Sequence, residues 1–204
     1  MEFTWTDSLA AFEAAALWFV TTAAEVGDRW EKPGLGEWDV RSLVGHTSRS
    51  FVTVEAYLAK PPEQVDIESA PLYYAATRSI ARGSGVAQRG RDAAQARGDD
   101  PAAAVAELGS RVTALVRRST GDELMTTIAG GMRLRDYLPT RTFELVVHTC
   151  DLAVALGLPP ASPGIAARQA MQLVTELLVD DARIGEALLA LTGRGPLPPE
   201  FSVM

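Results

Sequence analysis

The strongest constraint on this chain is the periodicity of its apolar residues. Long stripes recur at helical spacing, Gly and Pro punctuate them, and nowhere is there a convincing alternation of apolar and polar residues. Helices patterned in this way can bury their stripes only against one another, so an all-α helix bundle is the economical architecture. At 204 residues the chain is long enough for one well-packed domain, spanning 1–204, and short for two.

The boundaries follow from local chemistry. Residues 6–26 carry Leu9, Phe12, Ala16, Phe19 and Val20 at helical spacing and stop at Gly27. The stretch 27–38 reads as a loop. Asp39 is placed to cap a helix that runs to about Lys60, where Pro61-Pro62 ends it. A third helix is expected from about Ser69 to Ala96, with a break or kink at the "RGSG" of 82–85. Asp100 then caps a helix that has Pro101 at its first position and ends near Ser119. Residues 120–134 lack helical period and read as a crossover loop with at most a short extended piece. Helix resumes from about Asp136 to Leu156, Pro139 falling in its first turn and Gly157 closing it. Ser162-Pro163 start another helix, "PGIAARQAMQLVTELLVDD", and "ARIGEALLAL" is a short final one.

Composition narrows the partners. A net charge of -7 disfavours nucleic acid and anionic membrane surfaces, whose binding rests on neutralising phosphates. One cysteine cannot form an internal disulfide, so nothing asks for an oxidising compartment. The N-terminal "MEFTWTDSLA" has neither the basic nor the apolar region of a signal peptide, and the expected location is the cytoplasm.

The chemistry-bearing residues concentrate on the helix at 136–156. Arg141, Glu144, His148 and Asp151 are spaced by three, four and three, and so share one face. Cys150 lies on the opposite side and cannot readily meet the imidazole, which removes a Cys/His nucleophile. Leu145, Val146 and Val147 fill the rest of that turn, so the helix is apolar nearly all round and buried. A buried carboxylate needs a partner or a metal. The only other histidine, His46, points inward from its own amphipathic helix with Leu43, Ser50, Val54 and Tyr57. Together His46, Glu144 and His148 make a two-histidine, one-carboxylate set, the arrangement of catalytic zinc sites; iron and nickel accept similar ligands. The structural alternatives are a hydrogen-bonded core histidine at position 46 and an ordinary Glu–His helix pair at 144 and 148. Arg141 is placed either to anchor a substrate carboxylate or to pair with Glu144 or Asp151. Asp151 is placed to orient His148 through its second ring nitrogen, or to form a plain salt-bridged face with Arg141. Arg111, Arg117 and Arg118 read as a solvent-facing helix face.

Three segments resemble a known family. "GEWDVRSLVGHTSRS" is similar to the Trp-x-x-Arg-x-Leu-x-x-His element of the DinB-like superfamily, in particular of the mycothiol-dependent maleylpyruvate isomerases. "RTFELVVHTCDLAVALGL" resembles their Arg-x-x-Glu-x-x-x-His-Thr-x-Asp-Leu element, and "LLALTGRGPLPPEFSVM" the tail of their short members. The resemblance implies a DinB-like four-helix bundle with a crossover connection and additional short C-terminal helices. It also implies a divalent metal, usually zinc, held by His46, Glu144 and His148, with mycothiol as cosubstrate. The maleylpyruvate isomerase proper carries a further C-terminal domain, so maleylpyruvate itself is not the expected substrate here.

The expected function is a metal-dependent mycothiol transferase or isomerase acting on a small electrophile through a metal-bound thiolate, in a monomer or homodimer. A metal hydrolase using bound hydroxide and a non-catalytic metal-binding or regulatory bundle are the competing readings.

Overall fold

A computed structural model describes residues 3–81, 92, 93, 95 and 98–203 of the chain. Its described elements are α1 (Trp5–Ala24), β1 (Pro33–Leu35), β2 (Trp38–Asp39), α2 (Val40–Leu58), α3 (Ala70–Ala81), α4 (Pro101–Arg117), β3 (Leu124–Thr127), β4 (Gly130–Arg133), α5 (Leu134–Ala155), α6 (Gly164–Asp180) and α7 (Ile184–Leu191). The fold is all-α, as expected. The anticipated break at 82–85 and most of the expected third helix beyond Ala81 lie outside the described residues.

Local capping explains where the helices begin. Thr4 and Asp7 form a reciprocal capping box at the start of α1. Asp39 accepts from the Ser42 amide at 2.7 Å and so opens α2. Asp100 does the same for Ala103 at 3.0 Å, with Pro101 in the first turn of α4. Gly157 closes α5 with φ at +71°.

Helices α1 and α2 each pack against both α4 and α5, so each pair stands diagonally across a four-helix bundle. Phe12 and Phe19 of α1 meet Phe51 of α2 across its centre, with ring centroids 6.2 and 6.0 Å apart. Those rings, with Leu43, Leu145 and Leu152, are fully buried and form the core. Helix α6 lies along α1 and α5, α3 packs on α5 and α6, and α7 rests on α6. Among the described residues, no helix is long and apolar enough to cross a membrane.

Both diagonal connections carry strands: 27–38, expected as a loop, holds a short pair, and 120–134, expected as a crossover loop with a short extended piece, holds a hairpin. In 27–39, β1 and β2 pair antiparallel, Pro33 opposite Asp39 and Leu35 opposite Trp38. This segment is tied back onto α2 by Val40 N to Lys32 O and Arg41 N to Trp30 O, both 2.9 Å. Residues 120–134 hold a β3–β4 hairpin with Thr127 opposite Gly130. Its two-residue turn, Ile128-Ala129, lacks the Asn-Gly or Asp-Gly that announces such hairpins. The pairing is set instead from outside. The Gly131 backbone is bonded on both sides by the 61–67 segment, its N–H donating to the Asp66 side-chain Oδ2 at 2.7 Å and its carbonyl accepting from Asp66 N at 2.8 Å. A Cβ on Gly131 would sit 2.0 Å from the Gln64 carbonyl oxygen, so only glycine fits this contact.

The hairpin also moves the start of α5. Leu134 N donates to Glu123 O and Arg135 N to Gly121 O, each at 2.9 Å, so helix begins two residues before Asp136. Pro139 therefore falls in the second turn, where it withholds a hydrogen bond from the Arg135 carbonyl, and not in the first turn as expected.

Candidate metal centre

Helices α2 and α5 build the site because each has a polar stripe cut into an apolar face, and the two stripes meet. From α2, His46, Arg49, Ser50, Thr53 and Tyr57 line one open cavity of about 490 Å³. From α5, Arg141, Glu144 and His148 line its floor. One ligand-type atom each from His46, Glu144 and His148 lies within 4.8 Å of the others. The two imidazole rings are perpendicular, with centroids 4.9 Å apart.

The α5 half is braced. His148 Nε2 sits 3.3 Å from Glu144 Oε2, and its Nδ1 sits 3.1 Å from Asp151 Oδ2. Tyr74 of α3 donates its hydroxyl to Glu144 Oε1 at 2.8 Å, leaving the other carboxylate oxygen turned toward the histidines. Burial opposes the charge on His148, but the hydrogen bonds to Asp151 and Glu144 outweigh it and raise the imidazole pKa to about 9. Burial likewise opposes the Glu144 charge. The hydrogen bond from His148 and the nearby Arg141 guanidinium override it, holding this carboxyl down at about 2.

The α2 half is bare. His46 Nδ1 is buried and has no hydrogen-bond partner. Burial, then the His148 charge, push its pKa down to about 3, so the ring is neutral and carries a free lone pair. Trp38 covers it, with ring centroids 4.4 Å apart, and also reaches the edge of His148. The loop bearing Trp38 is anchored across the site by Arg29, which donates to the Leu156 carbonyl at the C-terminal end of α5 at 2.9 Å.

An orphaned neutral imidazole, a second imidazole oriented by a carboxylate and a Glu oxygen held by a tyrosine fit the donor set of a divalent cation with an open position. A cation held there would act as a Lewis acid in a cavity wide enough for a small organic molecule.

Of the residues singled out by sequence, His46, Glu144 and His148 converge, and Asp151 meets His148. Arg141 does not pair with Asp151 or Glu144: no carboxylate lies within 4.0 Å of it among the described residues. Its Nε donates to Thr140 Oγ1 at 2.9 Å, and its guanidinium lies over the Tyr137 and Tyr73 rings at 4.8 and 5.8 Å. The reading of a salt-bridged Arg141–Asp151 face is therefore set aside, because Asp151 is taken by the imidazole. Cys150 is half-buried, not fully so, and burial raises its thiol pKa, which leaves it a poor nucleophile. Arg111 and Arg117 are exposed as expected, though each pairs with a carboxylate, Glu55 and Glu13 respectively.

Sequence reasoning missed Tyr74 as a partner of Glu144. Its only local signal is a place on the inward face of α3 beside Tyr73, and nothing in that pattern says which helix it faces. Arg49, too, was not singled out.

A family model described as the mycothiol maleylpyruvate isomerase N-terminal domain matches residues 13–153, a stretch that runs from the middle of α1 nearly to the end of α5 and includes the whole candidate centre. No curated protein and no solved structure matches the chain. With more than two thirds of its length covered, this chain belongs to the mycothiol maleylpyruvate isomerase N-terminal domain family.

Proposed function

We propose that the protein is a metal-dependent thiol transferase or isomerase that uses mycothiol and acts on a small electrophile. The observation that carries this reading is the convergence of His46, Glu144 and His148 within 4.8 Å on the floor of an open cavity. Family membership supports the thiol.

In this reading His46, Glu144 and His148 hold a divalent cation, zinc by preference for two imidazoles and one carboxylate. A cation held there would supply Lewis acidity and lower the pKa of a thiol at its open position. The chain's own residues do the rest. Asp151 fixes the ring orientation of His148, and Tyr74 restrains Glu144 to one free oxygen. Trp38, Tyr73 and Phe143 wall the cavity and limit water around the reacting atoms. Arg141, buried and without a carboxylate partner, offers its guanidinium to an anionic group on the electrophile or to negative charge that develops there as the carbon–sulfur bond forms.

Elemental analysis of the purified protein, beside Glu144→Ala and His148→Ala, tests the centre. Stoichiometric metal in the wild type and none in the variants is the expected result. Absence of metal, with no shift in thermal stability on adding zinc, overturns the reading. Acceleration of adduct formation between mycothiol and monochlorobimane tests the chemistry, and background rates across several electrophiles would count against it.

A further inference from the structure

Two chemically distinct sets of side chains line the cavity. One is polar: His46, Glu144, His148 and Arg141, with Arg49, Ser50, Thr53 and Thr77. The rest is aromatic and aliphatic and includes three large aliphatic side chains that are open to water. Leu35 comes from β1, Ile128 from the turn of the β3–β4 hairpin and Val147 from α5; they are 39%, 54% and 38% exposed. Single exposed aliphatics on a surface need no explanation. Three from separate elements, lining the same cavity as the polar cluster, put aliphatic surface that water wets at a cost where a ligand would lie. Two of the three sit on the diagonal connections, which are held in place by specific backbone bonds: Val40 to Lys32 for the first, and Gly131 to Asp66 and Ile67 for the second. The lip is thus a built feature of the fold.

We infer that Leu35, Ile128 and Val147 form a specificity-determining lip that receives the apolar body of the electrophile, an alkyl or aryl group of several carbons, while its reactive end lies against the His46–Glu144–His148 floor. This rests on the proposed function and names the substrate class for that same site. The cavity volume of about 490 Å³ exceeds what a one- or two-carbon electrophile would fill, and sites of this size ordinarily take organic ligands through apolar walls with a few polar groups. The apolar body belongs to the electrophile and not to the thiol. The hydroxyl-rich carrier of a mycothiol-type thiol would lose hydrogen bonds to water against such a lip and gain none.

The test uses zinc-loaded protein and a series of hydroxamic acids, which share one metal-chelating head and differ in their body: acetohydroxamate, hexanohydroxamate and benzohydroxamate, measured by isothermal titration calorimetry. The wild type is expected to bind the hexyl and phenyl members about tenfold or more tighter than the acetyl member. In the L35S/I128S double variant that gain should shrink to about twofold, with acetohydroxamate affinity unchanged. The unchanged acetyl member also shows that fold and metal are intact, as expected for two side chains already exposed to water. Equal affinity across the series in the wild type, or a gain that survives the double substitution, overturns the lip while leaving the metal centre standing. If no member binds protein whose metal content is confirmed, the open position itself is absent, and the proposed function falls together with the lip.

Discussion

His46 and His148 sit with their rings 4.9 Å apart, yet the protein treats them in opposite ways. His148 is held between two carboxylates, and its charge is favoured up to about pH 9. His46 has an orphaned nitrogen, an aromatic cover and a pKa near 3. The difference teaches how a site can be half built from one helix and completed by another. The α5 half is a self-sufficient cluster at spacings of three and four residues, stable without any ligand. The α2 half leaves a buried ring nitrogen without a partner, the position that the proposed cation would take.

The largest expected effect falls on both halves alike. His46→Leu, Glu144→Ala and His148→Leu should each abolish stoichiometric zinc binding in a direct titration. A variant that still binds one zinc tightly would show that its residue is not a ligand.

Stability of the metal-free protein should then separate the halves. Replacing His148 by Leu leaves the Glu144 and Asp151 carboxylates without their shared partner, and should cost about 3 kcal/mol in denaturant unfolding with chelator present. The same change at His46 removes an unsatisfied polar atom and should alter stability by less than about 1 kcal/mol, in either direction. Equal losses at the two positions would erase the contrast between braced and bare.

The bracing groups come next. Tyr74→Phe and Asp151→Asn keep all three ligands but remove the hydrogen bonds that orient Glu144 and His148, so zinc affinity should fall about 10- to 100-fold. Trp38→Phe, which touches His46 only through its ring face, should weaken binding by much less. If Trp38→Phe matched the other two, the cover over His46 would be as important as the bracing of His148.

The smallest effect is in the pH profile of the metal-free protein. His148 has a raised pKa, so its contribution to stability is fully present below the unfolded value near 6.5 and is lost as pH rises through about 9. His46 has a depressed pKa, so the unfolded chain takes up a proton that the folded one refuses, and stability falls as pH drops from about 6.5 toward 3. Glu144 works in the same acid direction, its contribution vanishing as pH falls from about 4.5 through 2. His148→Leu should flatten the alkaline limb and, by removing the charge that depresses Glu144 and His46, soften the acid limb as well, whereas His46→Leu should soften the acid limb alone. Identical changes in both variants would contradict the assignment.

The legibility of this protein in its sequence follows the same division between local and distant causes. The start of α2 at Asp39 and of α4 at Asp100 could be read directly, because a cap acts within three residues. The β3–β4 hairpin could not. Its pairing depends on Gly131 meeting the backbone of residues 64–67, about 65 positions earlier, while its own turn residues carry no hairpin signal. The early start of α5 has the same origin. At the site, the shared face of Arg141, Glu144, His148 and Asp151 followed from helical spacing. The fate of Arg141 did not, since Tyr73 and Tyr137 compete for it and Asp151 is occupied by His148.

By itself, then, the sequence determined an all-α chain and the angular position of each polar residue about its own helix axis, because a 3.6-residue period and capping chemistry are local. Only the tertiary structure decided that the polar stripe of α2 faces that of α5, that Tyr74 arrives from α3 to hold Glu144, and that two strand-bearing connections carry Leu35 and Ile128 to the cavity mouth. Periodicity specifies which way a side chain leaves its helix. What it meets there is set by packing between segments far apart in the chain, where the choice depends on how well whole faces bury one another.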